Sequence, residues 1–234
     1  MKKYFVVFIA IGFTNLITHA QHFDHSIWET FLQKHVNADG EVNYKAIKAN
    51  PYQLNTYLNQ FTETVPNSTW KKNESLAYWI NAYNAFTIKL IIDNYPIISI
   101  KDIIKPWDKQ FIPLDEKIVS LNYIEHEILR KMNEPRIHFA IVCASYSCPK
   151  LSNTAYTSIN LETQLTQATK DFLSDPERNI ITENSIKLSK IFSWFEKDFK
   201  QNGSLIDFLN QYSNVTISKN AKKKYLDYNW NLNE

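Results

Sequence analysis

The chain has 234 residues, with 26 Lys and Arg against 24 Asp and Glu, 14% aromatic residues, three glycines and two cysteines. A balance this close to neutral gives no long-range field to gather nucleic acid or an anionic lipid surface. Neither G-x-G-x-x-G nor G-x-x-x-x-G-K occurs, so no nucleotide loop and no cofactor is expected. Two cysteines do not make a disulfide-built scaffold.

Lys2 and Lys3 precede an almost unbroken apolar run from Tyr4 to Phe13, and Thr18 and Ala20 supply the small residues before a cut at Gln21. That order predicts a secretory signal peptide over 1–20. The apolar run is shorter than the roughly 20 residues of a permanent span. Removing Lys2 and Lys3 takes the 26 basic residues to 24, level with the 24 acidic ones. The mature chain is expected in the periplasm or outside the cell. No integral span is expected after signal removal, because the best later candidate, Ala77 to Ile92, is broken by Asn81, Asn84 and Lys89. The remaining length suits one domain. Residues 21–70 read as an N-terminal helical extension packed on a main domain, 71–234.

Ser26 to Glu29 has the pattern of a capping box, and Ile27, Phe31, Leu32 and His35 continue it at helical spacing. Asp39-Gly40 is a turn signal, followed by an extended Glu41 to Tyr44. Asn50-Pro51 opens a helix whose stripe is Leu54, Tyr57, Leu58 and Phe61. The longest helix runs from about Asn73 to Tyr95 and stops before Pro96. It is apolar nearly all round, the mark of a buried central helix. Asn81 and Asn84 share one of its faces, and buried amides need partners.

Phe111 to Leu114 and Lys117 to Val119 flank Asp115-Glu116 as a hairpin. Ser120 caps a helix, Leu121 to Lys131, that carries Glu125 and His126. The apolar run Ile137 to Cys143 reads as a buried strand, followed by a polar loop to Leu151. Leu161, Leu165, Ala168 and Phe172 mark another helix. Ile180-Ile181 and Ile186 to Leu188 form a second hairpin. Ile191 to Phe199 and Ser204 to Tyr212 make two short helices, and Lys222 to Lys224 read as a solvated face. The sum is an α+β, helix-rich single domain around a buried central helix, with a small, mainly antiparallel sheet.

Four stretches resemble one family. They are Tyr78-Trp79-Ile80-Asn81-Ala82-Tyr83-Asn84-Ala85; Ile124-Glu125-His126 with Leu129-Arg130; Arg136-Ile137-His138-Phe139-Ala140 running into Cys143 and Ser147-Cys148-Pro149; and Tyr225 to Asn233. Together they are similar to the domain of unknown function 547. The resemblance covers roughly Leu76 onward, and it implies a single globular domain, often exported in bacteria. It implies no particular reaction.

Two readings of the chemistry follow from the residues. In the first, Cys148 is the nucleophile of a thiol-dependent hydrolase or acyl transferase acting on peptide or cell-wall material. A thiolate needs a base within reach, and His126 and His138 are the candidates. Asn81, Asn84, Glu125, Arg136 and Ser147 are candidate substrate-binding residues. In the second, Cys143 and Cys148 form a local disulfide in a non-catalytic ligand-binding or scaffold module. The ligand in either case is a small molecule or peptide. The His and Cys spacings match no metal motif, so no metal site is expected. The polar motifs are expected to converge on one cleft.

Overall fold

From Leu76 to Ile92 every side chain but Lys89 is buried in helix α4, Lys72–Asn94. The computed structural model describes residues 23–234, so the expected signal peptide lies outside the described residues. Around α4 pack α1 (Ser26–His35), α2 (Tyr44–Ala49) and α3 (Tyr52–Asn59). Trp28, Phe31, Ile47, Leu54 and Tyr57 join the core that α4 organises. The Trp28 ring stacks between Phe31 and Tyr57, with centroids 5.1 and 5.3 Å away. Such aromatic pairs add to the stabilisation that burial alone supplies.

Local chemistry moved some boundaries. Helix α1 begins at Ser26 itself, because Asp24 accepts the Ser26 N–H at 2.8 Å and takes the capping role expected of Ser26. Only Val42 of the expected extended segment pairs, in a bridge to Val36. Asn43 then accepts the Ala46 N–H at 3.0 Å and starts α2 one residue later.

The first hairpin forms as expected, β1 (Ile112–Leu114) against β2 (Lys117–Val119), with Asp115 at φ 53° in its turn. The next helical stretch opens wide. It is a π-helix over Tyr123–Ile128 and a 3-10 turn over Leu129–Met132. Wide turns of this kind recur at functional sites. Ile137 to Cys143 is not a strand. Pro135 opens a 3-10 turn, Pro135–Phe139, and the carbonyl of Ala140 and the N–H of Val142 bond the Asn84 side chain instead of a neighbouring strand. A short apolar run does not by itself distinguish these outcomes.

Helix α5, Leu161–Ser174, leads to a three-stranded sheet in the order β3 (Ile180–Ile181), β4 (Ser185–Leu188), β5 (Lys222–Tyr225). The pair β3–β4 is the expected hairpin, but β4 and β5 are parallel. The strands are therefore divided between two small sheets, and the pairing is mainly antiparallel as expected, with β4–β5 the one parallel pair among the described strands. Lys222 to Lys224 expose their side chains, as a solvated face should, while their backbones pair with β4. Between β4 and β5 lie α6 (Ile191–Trp194), α7 (Glu196–Phe199) and α8 (Leu205–Tyr212). Helix α8 has a full capping box, Ser204 with Asp207. These elements enclose a second core that includes Phe139, Phe172, Leu188, Phe192 and Phe208.

The segment after β5 runs back over the first core. It bridges Asn231 to Ser99 and Leu232 to Ser145, and the carbonyl of Asn233 accepts the Val42 N–H at 2.8 Å. The architecture is α+β, and no helix of the described residues is long and apolar enough to cross a membrane.

Candidate functional site

A cavity of about 370 Å³ opens where the two cores meet. Helix α4 contributes Tyr83, the π-helix contributes Glu125 and His126, and the 3-10 turn contributes His138. Its apolar walls carry Trp107, Trp194, Phe195, Tyr228 and Trp230. Cys143 and Cys148 complete the lining on the loop side. Apolar walls with a few convergent polar groups are the usual make-up of a small-molecule site.

Glu125 is the buried acid of this cavity. Its carboxylate oxygen accepts the Tyr83 hydroxyl at 3.1 Å. Burial pushes its carboxyl up to about 7, against the Tyr83 hydrogen bond and the Arg130 charge, which favour ionisation. The neighbouring His126 gives its Nδ1 to Arg130 Nη1 at 2.8 Å. A guanidinium only donates, so Nδ1 holds a lone pair and the imidazole proton sits on Nε2. Burial first, and then the Arg130 charge, lower the His126 basicity in agreement with that geometry.

Arg130 continues inward as a fork, with Nε and Nη2 donating to the two oxygens of Asp198 at 2.6 and 2.9 Å. His138 Nε2 lies 2.9 Å from the same carboxylate. Burial alone would raise Asp198, but the bonds from His138 and Arg130 hold it well below the usual carboxylate range. Burial lowers His138, whose Asp198 bond opposes the shift. The pair is an ionised Asp198 accepting the Nε2–H of a neutral His138. The His138 ring stacks on Phe195 at 3.9 Å. One polar chain thus runs His126, Arg130, Asp198, His138 behind the aromatic wall.

Cys143 and Cys148 are joined as a disulfide, with Cα atoms 6.4 Å apart, within the usual range. Ala144, inside this small loop, has φ 58°, a conformation that costs a residue with a Cβ roughly 1–2 kcal/mol. The Tyr228 hydroxyl donates to Cys148 Sγ at 3.1 Å and stands 3.4 Å from Cys143 Sγ. The Cys143 N–H also points at Cys148 Sγ, at 3.1 Å. Burial raises the Tyr228 hydroxyl, which keeps its proton.

Of the residues singled out in the sequence, Glu125, His126, His138 and Cys148 share the cavity, while Asn81, Asn84, Arg136 and Ser147 are not in its lining. Asn81 bonds the backbone of Tyr156 in both directions, at 2.8 and 3.0 Å. Asn84 does the same for Ala140 and Val142. Arg136 forks onto Glu134 and Glu162 and fixes the 3-10 turn against α5. Ser147 holds Asn229 by two backbone-directed bonds, at 2.9 and 3.2 Å. Sequence reasoning named Arg130, Tyr83 and Tyr228 inside motifs without giving them roles, and it missed Trp107, Trp194 and Asp198. Among the described residues, no three His, Cys, Asp or Glu side chains are grouped to hold a metal ion.

Fold and cavity together describe an α+β domain with one aromatic-walled, acid-bearing pocket beside a disulfide. The sequence model of a family described as protein of unknown function, DUF547, matches residues 67–173. That stretch is similar to the family and holds α4, the π-helix and the disulfide loop. The walls made by Trp194, Phe195, Tyr228 and Trp230 lie after it. No curated protein and no solved structure matches the chain.

Proposed function

We propose that the protein is exported and binds a small molecule or short peptide in the aromatic cavity, with the Cys143–Cys148 disulfide bracing the wall. The observation that carries this reading is the cavity itself, aromatic on its sides and holding one buried, protonatable carboxyl, Glu125. An apolar pocket with few polar groups orients a ligand through those groups. The disulfide supports export, because such bonds persist in oxidising compartments.

A thiol hydrolase is the weaker reading. Acyl transfer needs a Cys148 thiolate with a base in hydrogen-bond reach. Cys148 Sγ is bonded to Cys143, and its donors are the Cys143 N–H and the Tyr228 hydroxyl, neither of them a base. The ring nitrogens of His126 and His138 that do bond are committed to Arg130 and Asp198.

The test is a titration of tryptophan fluorescence with short peptides and with fragments of peptide-linked N-acetylated amino sugars. One class should quench the signal to saturation, and Trp194→Ala should shift that saturation to higher ligand concentration, with Trp107 and Trp230 still reporting from the cavity. Failure of both classes to saturate the folded protein overturns the binding reading. For export, a bacterium expressing the full chain should yield protein outside the cytoplasm beginning at Gln21. Retention in the cytoplasm with residues 1–20 attached refutes it.

A further inference from the structure

The geometry points to a chemical activity beyond binding: thiol–disulfide exchange between the Cys143–Cys148 disulfide and a compact apolar dithiol that enters the aromatic cavity. The inference rests on the binding reading for access to the pocket, and adds a covalent step to it. A disulfide that a ligand can reach is more readily reduced than one sealed inside a core. Here both sulfur-bearing residues line an open cavity large enough for a small molecule.

The two sulfurs are not equivalent. Cys143 is half-buried, whereas Cys148 is 5% exposed. Cys148 Sγ also receives the Cys143 N–H and the Tyr228 hydroxyl, each at 3.1 Å. Donors aimed at a sulfur stabilise it as a thiolate, and the better-stabilised thiolate leaves faster. Exchange therefore starts at Cys143.

A thiolate of the substrate attacks Cys143 Sγ. The Cys143–Cys148 bond breaks, and its electron pair leaves on Cys148 Sγ, held by the two donors. The substrate is now linked to Cys143 as a mixed disulfide. Its second thiol, deprotonated, attacks its own sulfur in that bond and releases Cys143 as a thiolate. The two protons shed by the substrate end on the two cysteines. The substrate dithiol is oxidised by two electrons to a disulfide, and the protein disulfide is reduced by two electrons to a dithiol. No third reactant is needed.

The surroundings suit this step. Glu125 lines the same cavity and gains or loses its proton near neutrality, so it can take and return the protons in transit. Its charge is felt at the Tyr228 hydroxyl. The wall of Trp194, Tyr228 and Trp230, with centroids 4.5 to 5.6 Å apart, favours an apolar carrier over a charged one.

The experiment mixes the oxidised, folded protein with dihydrolipoamide, or with dithiothreitol at equal thiolate concentration. Reactions are quenched with an alkylating reagent, and the labelled cysteines are mapped by mass. Dihydrolipoamide should reduce the disulfide faster, and Tyr228→Phe should slow that reaction about tenfold, the rate equivalent of one lost hydrogen bond to a charged leaving group. In Cys148→Ser, oxidised lipoamide should trap a mixed disulfide on Cys143. Should the cysteine variant fail to fold, the wild-type and Tyr228→Phe rates decide the matter alone. Reduction that requires denaturant, or equal rates for wild type and Tyr228→Phe, overturns the inference. The fluorescence titration on the same oxidised protein separates the two failures. Saturable binding without exchange leaves a binding pocket with an inert staple, and loss of both removes the binding reading as well.

Discussion

The amide oxygen of Asn84 accepts the backbone N–H of Val142 at 2.9 Å, one residue before Cys143. The amide nitrogen of the same side chain donates to the Ala140 carbonyl at 2.9 Å. The central helix thus holds the disulfide loop by a single side chain that imitates a neighbouring strand. Asn84→Ala leaves two buried backbone groups without partners and should cost about 2–4 kcal/mol. Urea denaturation measures the loss. A cost under about 0.5 kcal/mol, the scale of an ordinary surface change, would show that the loop holds itself.

Glu125 makes stability depend on pH. Its folded value, about 7, lies above the ordinary 4.5. The unfolded chain therefore ionises first as pH rises. The associated stability is full below 4.5 and is lost as pH climbs through about 7, with a total on the order of 3 kcal/mol. Glu125→Gln cannot ionise, so wild type minus variant should fall across that window and level off above it. Denaturant midpoints at several pH values give the difference, to which titration of His126 and His138 contributes in both proteins alike. Tyr83→Phe removes the hydrogen bond that favours the ionised form, so the fall should still begin near the ordinary 4.5 but continue to higher pH.

Asp198 anchors Arg130 and His138 together. Asp198→Ala strands a guanidinium whose side chain is 28% exposed, so the cost should fall short of the roughly 3–5 kcal/mol of a fully buried pair. Because Arg130 also bonds His126 Nδ1, nuclear magnetic resonance of the imidazoles should show His126 altering its titration in the variant. An unchanged His126 would mean that the polar chain is not coupled.

Trp194 is 46% exposed and stacks on Trp230 at 5.6 Å. Its removal should change stability by less than about 1 kcal/mol, yet lower ligand affinity about tenfold or more, as loss of an aromatic anchor does. Thermal unfolding and fluorescence titration of Trp194→Ala separate these effects. A large loss of stability with unchanged affinity would move the ring from the pocket to the scaffold.

The central helix was legible because one signal holds along its whole length: its side chains are apolar on nearly every face, and Pro96 stops it. The two hairpins were legible from turn residues. What escaped depended on partners far along the chain. The run Ile137 to Cys143 looks like a strand until Asn84 is known to occupy its backbone groups. Strand β5 is three lysines and a tyrosine, and nothing local reveals that its backbone pairs with β4. The sequence leads one to expect that the central helix around Asn81, the Glu125–His126 helix and the loop after Cys143 meet at one cleft; Glu125, His126 and Cys148 do line one cavity, and Asn81 does not. Asn81 and Asn84 sit on the helix as expected, but their amides are consumed by backbone, and a sequence does not distinguish an amide facing a ligand from one facing a carbonyl. Trp107 and Trp194 reach the cavity through loops and short helices, where periodicity carries no signal.

The segment around Asn229 to Asn233 touches Val42, Ser99, Ser145 and Ser147, in parts of the chain made much earlier. During synthesis those parts emerge from the ribosome and wait. The disulfide loop lacks its Tyr228 and Asn229 partners, and Val42 lacks the Asn233 carbonyl, until nearly all of the described chain has appeared. Closure of these contacts therefore waits until Asn233 itself has been made. A chain interrupted before Asn229 should remain open to proteases however well its central helix has formed.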